Sequence, residues 1–197
     1  MLRSKDLNII EKKTRTQILN QKSLSGGDIN NLYLLETTTL PLVVKSNSIA
    51  DFPNMFEYEK KGLEKLKQTK SIQIVDTINQ INHNDLSFLI LNYIKTSPET
   101  SEFWEKFGLQ LNQLHQTQSI SFGLDTPNYI GSLPQQNNWC TTWTEFYVTQ
   151  RLEPQLKKIV EKGFLKELVT QFEKLYHQLD SLFPKEPASL LHGDLWN

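Results

Sequence analysis

Cysteine is almost missing from this chain. Cys140 stands alone among 197 residues, which excludes an internal disulfide framework and a cysteine-rich zinc site and suits a reducing compartment. Long apolar runs are missing too: none approaches the ~18 residues needed to cross a bilayer, and the first residues lack the apolar core of a signal peptide. Charge of one sign is equally scarce. With 21 basic and 22 acidic side chains, the formal net charge of -1 gives nucleic acid or an anionic membrane little to hold. The four histidines and the lone cysteine form no metal-ligand spacing, and neither a Walker loop nor a nucleophile elbow occurs. These absences point to a cytoplasmic protein with no nucleic-acid or membrane partner. What is present is ordinary for a soluble protein, 38% hydrophobic and 22% charged, with ample material for one sizeable domain or two small lobes.

The pattern changes along the chain. Short strands are expected at Thr16 to Leu24, Ile29 to Leu35, Leu42 to Lys45, Ile72 to Ile78 and Ser87 to Ile94, separated by turn residues such as Ser25-Gly26-Gly27-Asp28 and Asn82-His83-Asn84-Asp85. One helix, Phe56 to Leu66, interrupts them. After Pro98 helices dominate: Glu99 to Thr117, about Trp139 to Val160 with a break near Pro154, and Phe164 to Phe183. The segment Ser119 to Asn138, rich in Gly, Pro, Asn and Gln, reads as a long loop. The fold class is α+β, with an antiparallel sheet and one helix in residues 1–94 and a helical second lobe in residues 95–197.

Several residues carry possible chemistry. The paired glycines Gly26 and Gly27 between two strands can turn sharply and bring backbone amides near a phosphate; a plain hairpin turn fits equally. Lys45 ends an apolar strand, Leu42-Val43-Val44-Lys45, with Val43 on its own face. It reads either as an exit residue with its charge in water or as a group reaching phosphates under the glycine turn. The following helix favours the second. Phe56, Glu59, Leu63 and Leu66 are spaced 3, 4 and 3 apart, so Glu59 shares the inward stripe, where an ionised carboxylate needs a partner. Lys45 is the natural one, whereas Glu57 falls on the solvated face with Lys60, Lys61 and Glu64. The strongly apolar strand ending at Asn92, Tyr93 and Ile94 is either a core strand or one whose final backbone groups meet a ligand. His115 closes an apolar helix face of Phe103, Trp104, Phe107, Leu111 and Leu114, as a packing or capping histidine. At the end of the chain, Leu190-Leu191-His192-Gly193-Asp194-Leu195-Trp196-Asn197 leads a strand end into a glycine turn. Taken by itself this is a Gly-Asp turn; with the rest of the chain, Asp194 reads as an acceptor for a hydroxyl proton.

Together these residues resemble the fructosamine kinase (ketosamine-3-kinase) family, a branch of the aminoglycoside phosphotransferase and choline kinase-like superfamily with a two-lobed, protein kinase-like fold. The likeness runs through Gly26-Gly27-Asp28-Ile29-Asn30, Val44-Lys45-Ser46-Asn47, Phe56 to Glu59, Phe122-Gly123-Leu124-Asp125, Asn128-Tyr129-Ile130-Gly131, Trp139, Trp143, Arg151-Leu152 and His192-Gly193-Asp194-Leu195-Trp196. It implies ATP-dependent phosphorylation of a sugar hydroxyl on a ketosamine, a small molecule or protein lysine carrying fructose or ribulose, which leads to deglycation. By the resemblance Asp194 is the catalytic base, and Lys45, held by Glu59, positions the phosphates. Gly26 and Gly27 cover those phosphates; Asn92, Tyr93 and Ile94 frame adenine; and His192, Trp196 and the Asn128 to Trp143 region shape the sugar site. A kinase for an aminoglycoside or choline-type amino alcohol, and a non-catalytic nucleotide-binding remnant, are the alternatives.

The resemblance also marks a departure. The family's loop runs on to an asparagine five positions after the aspartate, and a later Asp-Pro-Ala holds Mg²⁺; both positions fall beyond Asn197. The helical lobe is therefore expected to be incomplete, the metal ligands missing from the chain, and catalysis impaired. The last helix carries a broad apolar stripe, Leu165, Leu168, Phe172, Leu175, Leu179 and Leu182, whose exposure would invite self-association.

Overall fold

The computed structural model describes residues 1–25, 29–163, 169–193 and 195. By contacts, the chain divides into two compact units, residues 1–111 with 129–133, and residues 112–128 with 134–197. Residues 95–111, assigned by sequence to the helical lobe, thus cluster with the sheet, and so does a short piece of the long loop.

The first unit is built on a five-stranded sheet in the order β1-β2-β3-β5-β4, each neighbouring pair antiparallel. Its strands are β1 (Ile18–Leu24), β2 (Asn31–Thr37), β3 (Leu42–Ser48), β4 (Thr77–His83) and β5 (Leu86–Asn92). Two helices accompany them, α1 (Ser4–Thr14) and α2 (Met55–Gln68). Strand alternation sorts the core into two clusters. Leu42, Val44, Phe88 and Ile90 join Ile10 of α1, while Leu89, Leu91 and Val43 join Met55 and Phe56 of α2. Each face of the sheet therefore has its own helix, which explains why β5 is apolar in succession rather than alternating. Phe56 and Phe88 are fully buried, each stabilising by about 1.5–3 kcal/mol through the area removed from water.

Two expectations change here. The first half holds two helices, not one. In α1, the Asp6 carboxylate accepts from the Arg3 backbone N–H (3.3 Å) and from its guanidinium Nε (2.8 Å), and Arg15 closes the helix in the left-handed conformation. The strand expected at Ile72 to Ile78 begins only at Thr77 and runs to His83. The apolar signal came from Val75, which packs on the α2 cluster without joining a ladder. The actual β4 is an edge strand, so its Asn79, Gln80 and Asn82 need no apolar neighbour on a second side.

In the second unit, the end of α3 (Phe103–His115) leads into β6 (Gln118–Ser119), which pairs with β9 (Ala188–Ser189). The expected long loop contains a hairpin, β7 (Asn128–Ile130) and β8 (Leu133–Gln135), of which residues 129–133 belong to the first unit. The helix foreseen from Trp139 to Val160 is α4 (Trp143–Tyr147), a π-turn over Val148–Leu152, and α5 (Glu153–Glu161). Pro154 has no N–H for the Gln150 carbonyl one turn back. That carbonyl instead accepts from Arg151 Nη1 at 3.0 Å, so the break sits just before the proline. α6 (Val169–Leu182) buries Leu179 but leaves Leu175 and Leu182 exposed, whereas Leu165 and Leu168 of the expected stripe lie outside the described residues. In α3 only Leu114 of the expected inner face is buried; Phe103, Trp104 and Phe107 pack on one another with Phe103 and Trp104 largely in solvent. No helix of the described residues is long and apolar enough to cross a membrane.

Candidate nucleotide-binding site

Lys45 and Glu59 meet as their spacing predicts. Lys45 lies in β3 on the face that carries α2, and Glu59 sits on the inward stripe of that helix beside buried Phe56. The ammonium Nζ donates to both carboxylate oxygens, at 2.7 and 2.8 Å. The side chains are 22% and 29% exposed, so the pair is partly withdrawn from water yet open enough for a ligand to reach the lysine. Glu57 pairs instead with Lys61 on the outer face, at 2.7 Å.

Asn47 shares the Lys45 face of β3, two residues on, and is 3% exposed. Its Nδ2 donates to Asn30 Oδ1 at 3.1 Å and lies 3.2 Å from Met55 Sδ. The Asn47 Oδ1 is buried with no hydrogen-bond partner among the described residues. Asn47 thus ties Met55, the first residue of α2, to Asn30, two residues after Asp28. Gly26 and Gly27 themselves lie outside the described residues.

The strand β5 ends at Asn92, and Tyr93 and Ile94 run on beyond the sheet with their side chains exposed. The Asn92 N–H donates to the Asp76 carbonyl (3.0 Å) and the Tyr93 N–H to the Pro41 carbonyl (3.2 Å). The Asn92 side chain accepts from the Asp76 N–H at 2.5 Å. Two of the three backbone donors expected to frame a ligand are therefore already engaged, and among the described residues the Ile94 N–H is the donor of the three without a partner.

In the second unit His192 is exposed, its Nδ1 2.8 Å from the Gly193 carbonyl oxygen, and Gly193 has φ +68°, the left-handed turn expected of it. Asp194 and Trp196 lie outside the described residues. The same unit has a polar knot that no local sequence pattern foretells. Arg151 donates to the Gln136 carbonyl (2.8 Å) and to Asn137 Oδ1 (2.5 Å), with its guanidinium 4.6 Å from the Phe146 ring centre. Buried Asn137 in turn donates to the Thr126 carbonyl and to Asn128 Oδ1. Burial lowers the Arg151 pKa from its ordinary value.

The residues present fit a nucleoside triphosphate on one count. A lysine held by a bidentate carboxylate offers an oriented positive charge, and Lys45 lies opposite Leu32 of β2. Among the described residues no group of three or more His, Cys, Asp or Glu side chains comes together as a metal site.

Comparison with known proteins identifies the family. A family model described as fructosamine kinase matches residues 1–197. A "probable ketoamine kinase" of Vibrio parahaemolyticus is 39% identical over 183 residues, 92% of this chain and 63% of the relative. The chloroplastic protein-ribulosamine 3-kinase of Arabidopsis thaliana is 32% identical over 198 residues, 96% of this chain and 59% of the relative. Among solved structures, the "putative fructosamine-3-kinase" of Haemophilus somnus superposes with a TM-score of 0.81 at 28% identity, over 97% of this chain and 65% of that one. Spectinomycin phosphotransferase shares the fold, with a TM-score of 0.51 at 14% identity over 60% of this chain and 39% of that one. The chain spans about 63% of the length of the Vibrio parahaemolyticus relative. By the family model's match along its whole length, this chain belongs to the fructosamine kinase family.

Proposed function

We propose that these residues form the nucleotide-binding part and the beginning of the catalytic part of an ATP-dependent ketosamine kinase. The observation that carries the reading is the Lys45–Glu59 pair, bidentate at 2.7 and 2.8 Å. Within it Lys45 neutralises the α- and β-phosphates, and Gly26 and Gly27 cover them with backbone N–H groups. Ile94 donates its backbone N–H to adenine at the end of the Asn92-Tyr93-Ile94 segment. The acceptor is a sugar hydroxyl of a fructosamine or ribulosamine, on a small amine or a protein lysine. Asp194 takes the hydroxyl proton as the oxygen attacks the γ-phosphorus and ADP leaves. His192 and Trp196 border the sugar. The names of the relatives support this acceptor class over an aminoglycoside or choline-type alcohol.

Residues 1–197 by themselves are expected to bind ATP but to turn over slowly, since they span about 63% of the Vibrio parahaemolyticus relative. The test joins these residues to the final third of the Vibrio parahaemolyticus relative and supplies ATP with ribulosyl-lysine or fructosyl-lysine. Phosphorylated ketosamine from the chimera, lost on Asp194→Asn, is the expected result. A chimera that phosphorylates free amino alcohols and leaves ketosamines untouched would overturn the acceptor class. Turnover by residues 1–197 at the rate of the chimera would overturn the claim that they are slow.

A further inference from the structure

Helix α2 carries Glu59, yet its beginning is poorly secured by its own residues. Its N-cap residue, Asn54, has φ 61°, and no side chain there accepts from the first turn. A helix start of this kind is usually fixed by a polar cap or by an apolar staple between residues flanking the cap. Here the staple comes from elsewhere in the chain. The Tyr129 hydroxyl donates to the Pro53 carbonyl at 3.0 Å, across 76 residues of sequence. The Tyr129 ring stacks on Tyr58 (6.4 Å, 29°) and meets Phe52 edge-on (6.4 Å, 72°), so one aromatic residue bridges both sides of the helix start. Burial, and then the neighbouring Tyr58, raise the Tyr129 pKa, which keeps its hydroxyl a donor at neutral pH. Two residues on, Gly131 has φ +59°, and a Cβ there would lie 3.6 Å from Ile29 Cδ1. The same hairpin tip therefore lies close to Ile29, the residue that follows Gly26-Gly27-Asp28.

We propose that the Tyr129–Leu133 hairpin tip is a positioning clasp, with Tyr129 as its positioning residue: it fixes the start of α2, and through Glu59 the place of Lys45. Glu59 directly follows Tyr58, the residue on which the Tyr129 ring stacks, so a shift of that turn carries the carboxylate with it. The two bonds to Lys45 have little slack, since N–H···O contacts weaken beyond about 3.2 Å. A displacement of α2 by about 1 Å is enough to release the lysine from its orientation. The tip belongs to a segment that sequence reasoning gave to the sugar side. Its contacts are with Phe52, Pro53 and Tyr58 at the start of α2. The inference rests on the reading of Lys45 as the phosphate-binding lysine.

The test measures binding of a fluorescent ATP analogue to the 197-residue protein, alongside thermal unfolding. Tyr129→Phe, which keeps the ring and removes the bond to Pro53, is expected to weaken binding about threefold. Tyr129→Ala is expected to weaken it about tenfold. Placed on Glu59→Gln, Tyr129→Ala should weaken binding no further, although its loss of thermal stability persists in both backgrounds. A tyrosine that only stabilises the fold would leave affinity unchanged in the folded single variants, or would act equally in both backgrounds; either result overturns the clasp. Should Tyr129→Ala not fold, the same comparison is made with Tyr129→Phe. Lys45→Ala separates the two levels of the argument. If it abolishes binding while the Tyr129 variants bind normally, only the clasp is wrong. If it binds like the unaltered protein, the nucleotide reading fails and takes the clasp with it.

Discussion

The Lys45–Glu59 pair allows a quantitative prediction that is independent of turnover. Lys45→Met, Glu59→Gln and the double variant form a mutant cycle whose coupling energy measures the pair. Fully exposed ion pairs give about 0.2–1 kcal/mol, while breaking a buried one costs about 3–5 kcal/mol. At 22% and 29% exposure, with both carboxylate oxygens bonded at 2.7 and 2.8 Å, the pair falls between these cases. A coupling of about 1.5–2 kcal/mol is expected, from two charge-assisted bonds discounted for solvent access. For a chain of this size each kcal/mol moves the midpoint of thermal unfolding by about 2–4 °C. Urea unfolding of the four proteins supplies the free energies. Repeating the cycle in 1 M salt adds a second criterion, because a partly enclosed pair keeps most of its coupling where a surface pair loses it. A coupling below about 0.5 kcal/mol, or one that vanishes in salt, would show that the two side chains merely neighbour each other.

Three further outcomes follow from other contacts. For Asp6, which is 1% exposed, burial pushes the carboxyl pKa up, but bonds from the Arg3 side chain and backbone outweigh it and the net shift is downward. A lowered folded value stabilises above the unfolded pKa of about 3.9 and is lost as pH falls through the folded value. The melting difference between the protein and Asp6→Asn should therefore be full at neutral pH and fade below about pH 4; a difference that persists at pH 2 contradicts the assignment. Gly123→Ala would place a Cβ 2.9 Å from the Asn137 carbonyl oxygen and 2.9 Å from Trp139 Cα, both backbone atoms that cannot move cheaply. A loss of about 2 kcal/mol or more is expected by chemical denaturation. Arg151→Lys keeps the charge but loses the planar fork shared between Gln136 and Asn137 and the stacking on Phe146. Destabilisation of about 1–2 kcal/mol is expected, against no measurable change if the arginine serves only as a charge.

The residues legible in advance were those whose patterns have one physical solution. A glutamate at the 3-4-3 spacing of an apolar stripe must find a cation, and Lys45 was the cation at the right distance along the chain. Strand β5 was legible because six consecutive residues from Ser87 to Asn92 offer a strand little choice, although the ladder stops at Asn92, short of Tyr93 and Ile94. Helix α1 was missed because its apolar content is small. It depends on Ile10 and neighbouring Leu2 meeting a sheet face that only the folded structure assembles. The misplaced β4 shows the converse: Ile72, Ile74 and Val75 have the composition of a strand, yet the ladder starts at Thr77, where an edge position tolerates Asn and Gln. The role of Tyr129 was invisible for another reason. Its partners Phe52, Pro53 and Tyr58 lie far away in sequence, and nothing in the local pattern of Asn128-Tyr129-Ile130-Gly131 names them.

The first residues of the chain carry a practical consequence. Leu2 is buried in the core, its N–H donates to Gln21 Oε1 at 2.9 Å, and its carbonyl accepts from Gln21 Nε2 at 3.1 Å. A purification handle fused ahead of Met1 therefore begins one residue from the packed interior and beside an exposed sheet edge. A vector that adds its tag there without a flexible spacer strains the docking of the opening helix, and lower expression from such a plasmid would trace to that junction rather than to the lysine site.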